Sequence, residues 1–187
     1  VPRKIKYNRL SLLNIFENLN EFLDKDISTT FRIIDYGDYI CYNFKTNSDT
    51  EYDLELHYTE EPCDTKLSNG MELSSFLSKK CINGMIEGFD IGFTLTSVEN
   101  KGNPEEFEKE TNKNEYIELF GRISNILKRV ITDHRKFDLF VVGYAKRNRL
   151  DIYKQIFENH FSDDFYLLYG KSQHHPSGDS LFAIRKK

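Results

Sequence analysis

The chain has 187 residues, of which 39% are hydrophobic, 30% charged and 14% aromatic, with Phe and Tyr supplying bulk in the absence of Trp. That composition excludes a disordered chain and suits a single domain burying about 70% of its unfolded surface. A net charge of -4 gives no general nucleic-acid surface, and the short basic ends (Arg3, Lys4, Lys6, Arg9; Arg185, Lys186, Lys187) read as solvated termini.

Leu12, Leu13, Phe16, Leu19 and Leu23 recur at helical period, so residues 10 to 24 are expected as an amphipathic helix that Asn8 or Ser11 could cap. Two strands are expected around the Gly37 turn, the second setting Ile40, Tyr42 and Phe44 against Cys41, Asn43 and Lys45. The next, "EYDLELHYTE", sets Tyr52, Leu54, Leu56 and Tyr58 against Asp53, Glu55 and His57, which suits antiparallel strands with one wet side. Between Pro62 and Gly88 the pattern is irregular. Leu73, Phe76, Leu77 and Lys80 suggest a short helix there, before the turn residues Asn83 and Gly84. Residues 89 to 98 alternate again and lead into a polar loop, 99 to 114, rich in Glu. Ile117, Phe120, Ile123, Ile126, Leu127, Val130 and Ile131 mark a helix over 115 to 132. "FDLFVVGYA" is apolar almost throughout, as a strand covered on both faces must be. Leu150, Tyr153, Ile156, Phe157, His160 and Phe161 form the stripe of a further helix, and two final strands, "FYLLYG" and "SLFAIRK", enclose a loop built on Pro176, Ser177, Gly178 and Asp179. No repeat of 20 to 50 residues is visible.

Cys41, Cys63 and Cys81 are odd in number and match neither a disulfide framework nor a zinc ribbon, so free thiols in a reducing compartment are expected. No run approaches the roughly 18 apolar residues of a membrane span, and no apolar signal core opens the chain. The expected setting is the cytoplasm, or a particle assembled there. His174 and His175 are adjacent, with no Asp, Glu or Cys at a ligand-like interval, so no metal is expected at them, and His57 is expected to face solvent.

The order of elements in the second half resembles the GNAT N-acetyltransferase fold, in which an antiparallel half-sheet passes into a parallel pair flanked by helices. The expected class is therefore α+β, with one GNAT-like domain over residues 1–187 and a mixed sheet. Ala145, Asn148 and Tyr153 with Lys154 resemble the stretch after the fifth strand of such enzymes, although the Asn to Tyr interval is five residues where they usually have seven. "IELFGRISNIL" with "YAKRNRLDIYKQI" is also similar to uncharacterised proteins of tailed bacteriophages, through Ala145, Asn148, Arg149, Ile152 and Tyr153.

The GNAT resemblance implies a coenzyme A site lined by Gly143, Ala145, Asn148 and Arg149. Tyr153 would be the acid that protonates a leaving thiolate and Glu99 a base. Tyr153 also fits the apolar stripe as a core tyrosine, and Arg149 and Glu99 also fit a solvated surface. The enzymes hold the cofactor's pyrophosphate on bare amides at a helix N-terminus. Here that loop carries Glu99, Glu105, Glu106, Glu108 and Glu110, and Glu115 opens the helix, so carboxylates compete for those amides. The expectation is a phage-encoded binding or virion-assembly protein without acetyl-CoA chemistry and without another cofactor. Its partner is expected to be a protein, met through loop 99 to 114 or the hairpin around His174 and His175. The alternative is an active N-acyltransferase that uses acyl-CoA through an atypical loop.

Overall fold

The computed structural model describes residues 29–95, 113–143 and 147–186. The helix expected over 10 to 24 and nearly all of the acidic loop lie outside them. The described chain is α+β. Seven strands form one mixed sheet: β1 (Phe31–Asp35), β2 (Tyr39–Lys45), β3 (Glu51–Pro62), β4 (Met85–Leu95), β5 (Leu139–Val142), β6 (Phe165–Gly170) and β7 (Ser180–Arg185). Two helices, α1 (Lys113–Asp133) and α2 (Arg147–Phe161), lie either side of β5 in sequence.

The sheet order is β1-β2-β3-β4-β5-β7-β6. The first four strands are antiparallel neighbours; short turns join β1 to β2 and β2 to β3, and the longer segment 63–84 joins β3 to β4. β4 and β5 run parallel, and their ladder is confined to Phe89 with Phe140 and Asp90 with Val141. The final hairpin inserts β7 between β5 and β6, antiparallel to both.

Side-chain alternation assigns the sheet two separate cores. On one face, Tyr42, Leu54, Leu56, Phe89, Phe140, Val142, Leu181 and Ala183 pack with the stripes of α1 and α2, from Leu119 to Ile131 and from Leu150 to Phe157. On the other, Leu139, Val141, Phe182 and Ile184 pack with Cys63, Leu67, Leu73 and Ile86. All four residues of β5 are buried, which accounts for its unbroken apolar run. Cys41 and Asn43, on the polar side of β2 by alternation, are buried as well, while Tyr58, expected on the apolar side of β3, is half exposed.

The second core exists because residues 63–84 fold back as a cap. Its regular structure is one 3-10 turn, Leu73–Phe76, within the expected short helix. Asn83 (φ 52°) and Gly84 (φ 75°) make the turn into β4, which begins at Met85, four residues ahead of the expected start. The expectation of free thiols is corrected here: Cys63 and Cys81 are joined in a disulfide that closes the base of the cap, and Cys41 keeps its thiol in the interior. Spacing alone did not reveal the pair because the hairpin of β3 and β4 brings the two positions together.

Candidate functional site

Beyond Asp90 and Val141 the paired register of β4 and β5 stops, although β4 continues to Leu95. The carboxyl end of parallel strands where sheet direction changes is a usual ligand position. Gly143 follows β5 at this end, and the loop between β6 and β7, residues 171–179, returns across it. The His175 ring lies directly on Gly143: a Cβ there would fall inside the space of the imidazole carbons. Gly143 therefore serves close approach by a side chain. The His175 Nε2-H donates to the Asp90 carboxylate, and both side chains are about one-fifth exposed, 21% and 20%.

The same loop is tied down a second time. Glu61, near the end of β3, is only 1% exposed; its carboxylate accepts from the Ser172 hydroxyl and, at 3.4 Å, from the Gln173 backbone N-H. The Ser172 hydroxyl accepts in turn from the His174 N-H (3.1 Å), and the side chains of Gln173 and His174 donate to the Glu60 carbonyl at 2.7 and 2.9 Å. Burial raises the Glu61 pKa above the usual carboxylate value, against the lowering effect of the Ser172 and Gln173 hydrogen bonds. A carboxyl whose folded pKa is raised binds its proton more tightly in the folded chain, so stability falls as pH rises from the usual glutamate range through the raised value. In Glu61→Gln this dependence disappears. Melting temperatures measured from about pH 4 to 7 should therefore show wild type losing ground to the variant as pH rises. Parallel profiles would contradict the assignment.

A polar row crosses the sheet through this site. Tyr39 is the register partner of His57, His57 of Asp90, and Asp90 of Val141. Tyr36, Tyr39 and His57 stack in sequence, with ring centroids 4.6 and 4.9 Å apart, and the His57 Nε2-H donates to Glu55 at 2.9 Å. The expectation that His57 faces solvent holds: its side chain is 47% exposed. Two imidazole-carboxylate pairs thus flank one stretch of β4. Each carboxylate orients its imidazole.

The residues named from the sequence are distributed unevenly. Gly143 stands at the centre of the site, under His175. Tyr153 is 3% exposed in the helix-side core and meets Phe120 edge-on at 6.1 Å. Lys154, next to it, pairs with Glu158 at 2.8 Å. Asn148 and Arg149 lie in the first turn of α2, and Ala145 and Glu99 lie outside the described residues. Sequence reasoning missed Asp90, Glu61 and Ser172. The available signal was a carboxylate at a strand position between the apolar residues Phe89 and Ile91, which marks Asp90 as polar but names no partner.

The described elements thus define an α+β protein with a mixed seven-stranded sheet and a loop seated over the open end of its parallel pair. Compared with protein-family models, curated proteins and solved structures, the chain finds no match in any of the three. Among the described residues no helix is long and apolar enough to cross a membrane, and no group of three or more His, Cys, Asp or Glu is placed to hold a metal.

Proposed function

We propose that this chain is a phage-encoded binding or virion-assembly protein on a GNAT-like scaffold, without acetyl-CoA chemistry, and that its partner is a protein. The scaffold reading draws on the strand order, with β7 between β5 and β6, and on the two-pair parallel ladder of β4 and β5. The observation that carries the functional reading is the chain's own His175 ring over Gly143, in the place where a cofactor between β4 and β5 would come. A cystine also suits a protein that ends in a particle outside the reducing cytoplasm. The 171–179 loop, fastened to β3 and β4, presents the exposed Gln173 and His174 as contact groups on a rigid sheet.

The rival reading, an N-acyltransferase, keeps the strand order as its support and needs Tyr153 to act from within the core. Thermal melting with and without acetyl-CoA separates the two. A ligand at 100 times its dissociation constant stabilises by about 2.7 kcal/mol, or about 5 to 11 °C for a chain of this size. The expected result is no shift. A dose-dependent rise would reinstate the enzyme. For assembly, mass spectrometry of purified particles should detect the chain. A strict monomer in light scattering that is also absent from particles would refute the assembly reading.

A further inference from the structure

We infer that the Cys63–Cys81 bridge is a redox latch: the cap is made with two thiols and is locked over the second core when the chain meets an oxidising small-molecule disulfide. This concerns where and when the chain matures, and it stands independently of the acyl-CoA question.

The bridge sits where a latch would act. Cys63 follows the last residue of β3 and Cys81 precedes β4 by four, with their Cα atoms 6.4 Å apart, so the bond joins the points at which the chain leaves and re-enters the sheet. Between them the cap has little regular structure of its own. Its 3-10 turn is supplemented by backbone bonds such as Leu73 N-H to the Thr65 carbonyl (2.9 Å), Ser74 N-H to the Cys63 carbonyl (2.8 Å) and Ser68 N-H to the Tyr169 carbonyl (2.7 Å). Yet the cap must hold Leu67 and Leu73, 4% and 0% exposed, against Leu139, Val141, Phe182 and Ile184. The Cys63 N-H to Gly84 carbonyl bond (2.9 Å) already joins the ends of the cap, and the cystine adds a covalent closure that also restricts the loop in the unfolded chain. Opening the cap would bare the outer faces of β5 and β7.

The chemistry is thiol-disulfide exchange. Cys81 is partly exposed, whereas Cys63 is 7% exposed, so the first bond forms at Cys81. Its thiolate attacks oxidised glutathione, breaking the glutathione S-S bond and expelling one glutathione thiolate. The Cys63 thiolate then attacks the Cys81 sulfur of the mixed disulfide and expels the second. Two protons leave the protein, its two thiols are oxidised to cystine, and one glutathione disulfide is reduced to two thiols.

The test uses the full chain, treated either with oxidised glutathione or with dithiothreitol that is then removed. After denaturation the oxidised chain should show one titratable thiol and the reduced chain three, matching the three cysteines. Trypsin should cut at Lys66, Lys79 and Lys80 at least about tenfold faster in the reduced chain. Its melting temperature should be about 6 to 12 °C lower, from the closure entropy of a loop of this length. The Cys63→Ser, Cys81→Ser double variant should match the reduced chain in either buffer, and Cys41→Ser should keep the full redox response. If the double variant does not fold, the comparison of oxidised and reduced wild type decides alone. Three thiols persisting after glutathione disulfide, or equal cleavage of the two forms, would overturn the latch.

Discussion

Gly88→Ala is expected to lower stability by about 3 kcal/mol, a fall of about 6 to 12 °C in melting temperature. Gly88 lies on β4 opposite Thr59, where β4 runs against β5. A Cβ there would stand 2.9 Å from the Leu139 Cβ and 3.1 Å from its carbonyl carbon, and nearer still to its carbonyl oxygen. Those are atoms of a fully buried strand whose partner, Ile184, is also fully buried. Nothing at the contact is the loose end of a flexible side chain, so β4 and β5 must move apart. Overpacking of a dense core costs about 1 to 3 kcal/mol, and a backbone contact belongs at the upper end. The damage should also reach the site, because Asp90 is two residues further along the same strand and its carboxylate must meet His175. Thermal melting of the oxidised protein gives the number, and trypsin cleavage after Lys171 reports whether the loop has loosened. A variant within about 0.5 kcal/mol of wild type would mean that the strands do not approach as closely as described.

The second large effect is expected one residue on. Phe89→Ala should cost about 4 kcal/mol, in the range for emptying a buried phenyl site, while Phe89→Leu should cost clearly less. Phe89 is 0% exposed and is the hub of an aromatic cluster: Phe137 at 4.6 Å, Tyr58 at 4.7 Å, His134 at 4.8 Å and Phe140 at 6.1 Å between centroids. These rings come from β3, β5 and the connection between α1 and β5, so no single neighbour can collapse into the space. In urea the midpoint should fall with an unchanged slope, the mark of a change in stability alone. A loss below about 1.5 kcal/mol would show that the cluster repacks, and the hub would then be misassigned.

Both effects depend on alternation that the sequence displays. Phe89 and Ile91 in β4, Leu54 and Leu56 in β3, and the stripes of α1 and α2 repeat at periods of two and near 3.6 because backbone geometry alone sets which side chains share a face. Each pattern is contained within a dozen or so residues and can be read without knowing what it will touch. The unbroken apolar run of β5 likewise announces a strand covered twice, as its two separate cores require. The site was far less legible. Gly143 came into view through a family resemblance, and its contact with a histidine 32 positions later did not. Outside the short run from Leu73 to Lys80 the cap offered no period, since a segment held by scattered hydrogen bonds has no repeating geometry to impose on its residues.

By itself, the sequence determined the type of the described strands and of the two described helices, the apolar stripes of α1 and α2, that β5 is internal and that His57 is exposed. These follow from local backbone geometry and from water's exclusion of apolar surface, which act on every short stretch independently. Tertiary structure alone decided that β7 lies between β5 and β6, that Cys63 meets Cys81, that His175 reaches Asp90 across 85 residues and that Glu61 is buried against Ser172 across 111. The physical reason is that a hydrogen bond or a disulfide needs one partner at one distance. Which residue arrives there is set by the order of strands in the sheet, a property of the whole chain that no stretch of it encodes alone.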